Sequence, residues 1–346
     1  MNRAPRRQLE REIDRVPDFV DRARGAILGQ FIGDAMALGS HWHYNLLERQ
    51  RLYPGGIHGF ELPSPGHYHA GRRPGDPTHY GDAARLLLES LVEDDGFDER
   101  RFGRRFVAAF DAGYAGYRDK PTRLTIENAS PHLGDPSFAF QHGADDFQTV
   151  SMCRLAPVVV AYAGRSERDA VVARVVRVTQ ANAEAVAHNQ AFARILDAVL
   201  HGTDLASAIG TGCAAQTGPC ADLVRIRLGD ALAMQDKPVV DATGLVGRSC
   251  YLPCTFPSVL HACLRHPGDF ETAVLETVRA GGDNASRAAC VGALLGAALG
   301  ASAIPTHLAE RLHARVAIEA AIEQLLAPKE RLTAETGSSA GHRSRV

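Results

Sequence analysis

The stretch "AGGDNASRAACVGALLGAALG", residues 280–300, places two glycines and an aspartate directly before a run of alanine, glycine and leucine. Its periodicity predicts a helix over 285–300 that contains three glycines at intervals of four: Gly292, Gly296 and Gly300. Each interior glycine weakens a helix by about 1 kcal/mol relative to alanine. Because residues four apart share one helix face, the spacing favours close approach by another backbone.

A second segment near the start of the chain repeats this pattern. The sequence "RGAILGQFIGDAMALG", residues 24–39, carries glycines at the same interval: Gly25, Gly29 and Gly33. We expect its helix, predicted over 20–38, to pack against the first one. If the two run antiparallel, Asp34 lies near Asp283 and the glycines bring two distant acidic loops together. The alternative is two unrelated packing contacts.

Helical periodicity dominates the rest of the chain, and alternating strand patterns are almost absent. The fold class we predict is all-α, a single domain over residues 18–327. We expect an N-terminal extension at 1–17 and a disordered tail at 328–346. Predicted helices lie near 20–38, 81–95, 98–118, 150–163, 168–181, 184–201, 204–215, 222–235, 257–265, 268–280, 285–300 and 305–326. Residues 40–79 and 118–149 are expected to be irregular.

Composition excludes several classes of partner. A net charge of -2 gives no electrostatic footprint for nucleic acid or for an anionic membrane surface. Seven cysteines scattered through apolar stretches indicate reduced thiols, and therefore a cytoplasmic protein. The uncharged segment 288–304 is shorter than the roughly 20 residues of a membrane-spanning helix. We therefore expect no nucleic-acid partner and no membrane association.

Three segments together carry a family resemblance. "GAILGQFIGDAMALG" (25–39) resembles the amino-terminal signature of the ADP-ribosylglycohydrolase family, and "SMCRLAPVVVAY" (151–162) resembles an internal segment of the same family. The stretch 280–300 resembles its closing Gly-Gly-Asp motif before a glycine-rich helix. The wording "SHWHYN", "HYGDA" and "AGGDNASRA" is most similar to the branch with jellyfish J-type crystallins. The resemblance implies an orthogonal bundle of α-helices.

The resemblance also implies magnesium between the two glycine-rich helices. Family ligands come from a Thr-Asp-Asp-Thr segment and a Gly-Asp-x-Asp-Ser/Thr segment. In "THYGDAA" (78–84) only Asp82 matches a family aspartate, and Ala285 replaces another. Asp283 and Ser286 complete the predicted metal ligands. Since Mg²⁺ needs several hard oxygen ligands, we expect at most one weakly held ion, or none.

The implied activity is hydrolysis of an N- or O-glycosidic bond in an ADP-ribosyl or related ribosyl nucleotide. The predicted substrate is a small molecule related to NAD. His41, at the position of a family glutamate, and Asp82 are predicted to activate water. The predicted substrate-binding residues are Asp34, His79, Tyr80, Ser151, Gln180, Asn182, Gly281, Gly282 and Asn284. The alternative is a non-catalytic nucleotide-binding or crystallin-like structural protein with a decayed metal site.

Six histidines cluster within residues 41–79: His41, His43, His58, His67, His69 and His79. One interpretation is a transition-metal site, because imidazole suits ions such as Zn²⁺. Another is acid–base chemistry by His41 or His79, and a third is hydrogen bonding within a polar loop.

Three further residues have structural interpretations. Asp82 and Asp283 each stand before an apolar helical run and are also candidates for helix N-caps. Arg154 lies in an apolar stretch, where an unpaired charge is costly, so we expect it to pair with an acid such as Asp82 or Asp34; the alternative is contact with a substrate phosphate.

Overall fold

The computed structural model describes residues 17–111 and 113–327. Within these residues the chain forms helices and no β-strand, with three isolated bridges between loops. The predicted all-α fold class is therefore confirmed. The predicted N-terminal extension, apart from Pro17, and the predicted disordered tail lie outside the described residues.

Sixteen α-helices make up the described part of the chain. In chain order they are α1 (Phe19–Ala37), α2 (Leu46–Leu52), α3 (His79–Glu93), α4 (Glu99–Phe110), α5 (Lys120–Ala129), α6 (Ala156–Ala161), α7 (Arg168–Thr179), α8 (Ala183–Leu200), α9 (Leu205–Ala214), α10 (Ala221–Leu232), α11 (Val239–Val246), α12 (Leu252–Arg265), α13 (Phe270–Arg279), α14 (Asn284–Leu299), α15 (Thr306–Glu310) and α16 (Arg315–Leu326).

The sequence missed short helices and misjudged some boundaries. Helices α2 and α5 lie inside the two regions predicted to be irregular, and α11 was not expected. The helix predicted over 98–118 ends at Phe110, and the one predicted over 305–326 is divided into α15 and α16. Helices this short carry too few apolar repeats to show a period, so local capping marks them instead. Asn45 caps α2 and Asp119 caps α5 through their side chains.

Helices α1 and α14 run antiparallel and pack glycine against glycine, as predicted. A Cβ atom on Gly25 would lie less than 3.0 Å from the carbonyl oxygen of Gly296. The same holds for Gly29 against the carbonyl oxygen of Gly292. No larger side chain fits at these positions without displacing the partner helix, so the glycines set the spacing of the pair.

The remaining two glycines of the ladders behave differently from the prediction. Gly33 packs against the carbonyl oxygen of Ala288 rather than against a glycine. Gly300 lies one residue beyond α14, has φ +83° and faces the carboxylate of Asp21. It ends the helix instead of lining its face, because a positive φ suits a residue without a Cβ.

Asp34 and Asp283 both form hydrogen bonds with residues at the start of α3, and not with each other. Asp34 accepts hydrogen bonds from the backbone N–H and the hydroxyl of Thr78, the N-cap of α3. Asp283 accepts one from the hydroxyl of Tyr80, in the first turn of α3. The packing of α1 on α14 therefore brings both acids to the amino end of α3.

Arg154 is buried and has a structural role, but with other partners than predicted. Its guanidinium donates to the hydroxyls of Thr179 and Ser151 and lies over two phenyl rings of α4. Within the described residues it forms no ion pair with Asp82 or Asp34. Burial lowers the pKa of Arg154 to about 10.

Most of α14 is buried in the hydrophobic core, where it also contacts α8, α12 and α13. Among the described residues, no helix combines the length and the apolar character that crossing a bilayer requires.

Candidate active site

Asp283 is a fully buried carboxylate at the amino end of α14. Its Oδ2 accepts a 2.6 Å hydrogen bond from the Ser286 hydroxyl, and its Oδ1 accepts one of 3.2 Å from Tyr80. It makes no capping bond to α14, so the simple N-cap interpretation does not explain it. Burial raises the pKa of Asp283, against the opposing effects of the Ser286 hydrogen bond and the Arg287 charge. The group is therefore a better proton acceptor than an exposed aspartate.

Three buried histidines converge beside Asp283. His41 follows the 3₁₀ turn Leu38–Ser40, His69 lies in the loop between α2 and α3, and His79 is the first residue of α3. One ring nitrogen from each of the three lies within 4.8 Å of the other two. We call these three residues the histidine cluster.

The partners of His41 fix which ring nitrogen carries hydrogen. Nδ1 lies 3.1 Å from Oδ1 of Asn284, while the amide nitrogen of Asn284 is occupied by Ser40 and by the carbonyl of Val278. Nδ1 therefore donates to Asn284, although the N–H of Ala285 also approaches it at 3.4 Å. The lone pair of Nε2 then points to the cluster, 3.4 Å from Oδ1 of Asp283.

A second carboxylate stands behind His79. Nε2 of His79 lies 3.2 Å from Oδ2 of Asp119, off the line of a well-aligned hydrogen bond. Burial raises the pKa of Asp119, but contact with His79 and the N–H of Thr122 outweigh it and leave the pKa lowered. Asp119 is thus a buried anion that polarises the His79 ring.

His67 links two members of the cluster through their backbones. Its Nε2 lies 2.6 Å from the carbonyl oxygen of His41, and its Nδ1 accepts the N–H of His69 at 3.1 Å. The loop that carries His69 is thereby fastened to the turn that carries His41.

His41 and His69 are uncharged at neutral pH. Burial lowers the pKa of His41 well below its ordinary value, and the charges of His69 and His79 lower it further. Burial lowers the pKa of His69 to about 2, again with help from His79. Neutral imidazole rings offer lone pairs to a proton or to a cation.

Aromatic side chains cover the cluster on the side of solvent. The Trp42 ring lies 4.1 Å from the His41 ring and contacts the edges of Tyr68 and Tyr117. Trp42 has φ +61°, which is uncommon for a bulky residue. Its backbone N–H donates to the carbonyl of Gly282 at 2.8 Å. This backbone places the indole over the histidines.

A basic groove of about 450 Å³ lies along residues 118–127. Three cations line it: Arg118, Lys120 and Arg123. They follow Tyr117 directly in the chain, and Lys120 lies 3.3 Å from Asp146. Glu127 also lines the groove, so its lining has a net positive charge.

Asp82 and Asp34 lie near the same helix end but are occupied by other partners. The Oδ2 of Asp82 accepts 2.6 Å bonds from Arg72 and Tyr114. In the described residues no hydrogen bond or ion pair joins Asp82 to His41 or Asp283. Asp34 is fully engaged with Thr78, and burial raises its pKa to about 6.

Three of the predicted substrate-binding residues lie behind the site. Gln180 accepts the N–H of Ser151 and donates to the carbonyls of Asp146 and Gln148. Ser151 is buried. Asn182 caps α8 through its Oδ1 and donates to Asp145. Their role in binding remains a prediction.

The glycines and asparagine before α14 are held by the chain itself. The N–H of Gly282 donates to the carbonyl of His43, and that of Gly281 to Val278. Both glycines have positive φ values, +73° for Gly281 and +63° for Gly282. Asn284 is buried and positions His41. Their contact with a substrate also remains a prediction.

Sequence reasoning missed four residues of this site: His69, Asp119, Trp42 and Tyr117. His69 was part of the noted histidine group, yet nothing in the spacing selected it. Asp119 stands before "KPTR", a pattern typical of a helix start, and this signal was available in the sequence. No pattern in the sequence indicated that Trp42 and Tyr117 belong to the site.

Comparisons with known proteins agree on one family. The sequence model of the ADP-ribosylglycohydrolase family matches residues 15–335. The chain is similar to crystallin J1A of Tripedalia cystophora, with 29% identity over 88% of this chain and 96% of the relative. Crystallin J1B of the same organism is also 29% identical, over 86% and 94%.

A solved structure supports the fold independently. The chain is similar to a structure described as an ADP-ribosylglycohydrolase-related protein complex, with TM-score 0.66 and 24% identity. The match covers 89% of this chain and 98% of the other.

Proposed function

The chain belongs to the ADP-ribosylglycohydrolase family, and we propose that it hydrolyses the glycosidic bond of an ADP-ribosyl or related ribosyl nucleotide. We propose a small NAD-related metabolite as the substrate. The observation that carries the proposal is Asp283, a buried carboxylate beside three buried imidazoles under an aromatic cover. Buried ionisable groups whose pKa is shifted by desolvation are typical of catalytic sites.

In the proposed reaction Asp283 acts as the general base. A water molecule forms a bond to the anomeric carbon of the ribose and gives its proton to the carboxylate. The glycosidic bond breaks, and its electron pair stays with the leaving nitrogen or oxygen, which takes up the proton. Tyr80 and Ser286 hold the carboxylate in place through their hydroxyl groups.

The basic groove supplies a place for the diphosphate of the nucleotide. Arg118, Lys120 and Arg123 present three cations there, and guanidinium groups bind phosphate oxygens with strong, charge-assisted hydrogen bonds. Because Arg118 follows Tyr117 of the aromatic cover directly in the chain, we propose that a nucleotide in the groove directs its ribose to the buried site.

Magnesium, which the family resemblance implies, fits these residues poorly. Mg²⁺ prefers six oxygen ligands, whereas the described residues around Asp283 offer one carboxylate and the Ser286 hydroxyl. The side chains of His79 and Tyr80 face the site, whereas Asp82 faces Arg72. No step of the proposed reaction depends on magnesium.

The experiment is an assay for release of ADP-ribose from a panel of ADP-ribosyl compounds. The panel includes nitrogen-linked and oxygen-linked leaving groups, each as a small molecule and attached to a protein. We expect turnover of a small-molecule member. Release from none of them, in a folded protein, would reject the proposal.

The second candidate function is a nucleotide-binding or structural role without catalysis. Its support is the similarity to two proteins that are named crystallins and not hydrolases. ADP-ribose that raises the melting temperature without any turnover of the panel would favour the binding role. Neither turnover nor a thermal shift would favour a structural role.

A further inference from the structure

We propose that the histidine cluster binds one divalent transition-metal ion, with Zn²⁺ as the type, through one ring nitrogen each of His41, His69 and His79. The proposal concerns metal binding alone and stands whether or not the site hydrolyses a nucleotide.

The first argument is the number of buried nitrogens without a partner. Four ring nitrogens of the cluster, Nε2 of His41, both nitrogens of His69 and Nδ1 of His79, find no hydrogen-bond partner in the described part of the chain, while Nε2 of His79 lies against Asp119. Leaving a buried polar atom unpaired costs about 1–3 kcal/mol. One cation between the rings would satisfy a lone pair of each histidine at once.

The second argument is the contact between His41 and Asp283. Nδ1 of His41 is committed to Asn284, so the lone pair of Nε2 faces Oδ1 of the carboxylate at 3.4 Å. Two acceptors facing each other in a buried site repel, because no hydrogen lies between them. A cation bound at Nε2 turns this repulsion into attraction.

The geometry requires only small movements. The coordinating nitrogens lie within 4.8 Å of one another. Tetrahedral zinc with Zn–N bonds of about 2.0–2.1 Å needs nitrogens about 3.4 Å apart. Side-chain rotations that move each ring nitrogen by up to about 1 Å bring the three nitrogens to this spacing. Three protein ligands leave one position open, as in catalytic zinc sites.

Neighbouring residues orient the ligands as metal sites require. Oδ1 of Asn284 accepts a hydrogen bond from Nδ1 of His41, the nitrogen that faces away from the cluster. Oδ2 of Asp119 lies 3.2 Å from Nε2 of His79, which leaves Nδ1 of His79 for the metal. His67 fastens the loop of His69 to the backbone of His41. A carboxylate or amide behind a ligating histidine fixes its tautomer and raises its affinity for the metal.

The choice of ion follows from the donor atoms. Imidazole nitrogen suits Zn²⁺, Co²⁺, Ni²⁺ and Fe²⁺, whereas Mg²⁺ prefers oxygen ligands. The donor set of the histidine cluster therefore differs from the oxygen-rich one that the family resemblance implies.

Metal binding is measurable without substrate. The full-length protein is stripped with a chelator and titrated with Zn²⁺ by calorimetry, and separately with Co²⁺ by visible absorption. We expect one ion per chain and the intense absorption bands of four-coordinate Co²⁺. Trp42, the single tryptophan of the chain, adjoins His41, so Co²⁺ should also quench its fluorescence. Mg²⁺ should neither bind nor compete.

Variants assign the binding to the cluster. His69→Gln should weaken Zn²⁺ binding at least about 100-fold, and Asp119→Asn by about 10–100-fold. Asparagine keeps the cap on α5, so Asp119→Asn should remain folded. The control is His58→Gln, an exposed histidine of the same loop.

No Zn²⁺ binding by the folded wild-type protein would overturn the proposal. So would equal affinities for wild type and His69→Gln, or Co²⁺ that leaves Trp42 fluorescence unchanged. These results do not depend on the hydrolase proposal, which a metal-loaded protein without turnover would reject by itself.

Discussion

Gly29 and Gly292 face each other backbone to backbone, and a Cβ atom on either would lie less than 3.0 Å from the carbonyl oxygen of the other. This contact holds α1 against α14. Because Asp34 lies on α1 and Asp283 precedes α14, the same contact sets where both carboxylates meet the start of α3.

Alanine at Gly29 should therefore destabilise the protein although alanine is the better helix former. We expect Gly29→Ala to lower the free energy of unfolding by at least about 2 kcal/mol through overpacking. The control is Gly210→Ala in α9, where an added Cβ meets nothing within 4 Å. That variant should gain up to about 1 kcal/mol. Denaturation curves of both measure the difference, and a stable Gly29→Ala protein would contradict the packing account.

Stability should fall on acidification through His188. His188 is buried in α8 against Phe256, and burial lowers its pKa to about 4, with a further contribution from Arg227. The folded pKa lies below the ordinary value of about 6.5, so stability is fully present above that value. It is lost as the pH falls towards 4, by up to about 3 kcal/mol.

The matched measurement compares wild type with His188→Gln in urea at about pH 7.5 and about pH 4.5. The variant should lose less stability between the two conditions. His201→Gln, at the exposed end of the same helix, should behave as wild type. An equal loss for all three proteins would show that His188 does not contribute.

The basic groove should govern substrate affinity rather than chemistry. We expect Arg123→Gln to raise KM about 10-fold, because a charge-assisted hydrogen bond to phosphate contributes about 1.5–3 kcal/mol, and to leave kcat unchanged. Arg24→Gln, an exposed arginine that pairs with Glu323, is the control. A fall in kcat at constant KM would contradict the proposal that the groove binds the substrate.

The sequence predicted the fold better than the arrangement of the site. Glycines four apart in two helices predicted the central packing, because that spacing has few other physical reasons. The ends of α4 and the break between α15 and α16 depend on tertiary contacts, such as the N–H of His313 donating to Gly75. Local periodicity does not contain such contacts.

The site itself was predicted in part. Asp283, Ser286, Tyr80, His41 and His79 meet as a group, since the glycine ladders and the start of α3 bring them together. Asp82 was placed by matching one aspartate to a motif. In the structure the carboxylate of Asp82 bonds to Arg72 and Tyr114 instead. His69 comes from a long irregular loop, and only three-dimensional structure shows which histidine of that loop turns inward.

The central claim is that Asp283, and not Asp82, is the carboxylate that performs the reaction. The most direct measurement is kcat of Asp283→Asn and of Asp82→Asn on the ADP-ribosyl compound that the wild-type protein turns over, with folding checked by thermal melting. Removing a general base typically costs about 10²–10⁴-fold, so Asp283→Asn should lose at least about 100-fold in kcat. Asp82→Asn should keep kcat within a few-fold of wild type. An active Asp283→Asn protein beside an inactive but folded Asp82→Asn protein would contradict the account.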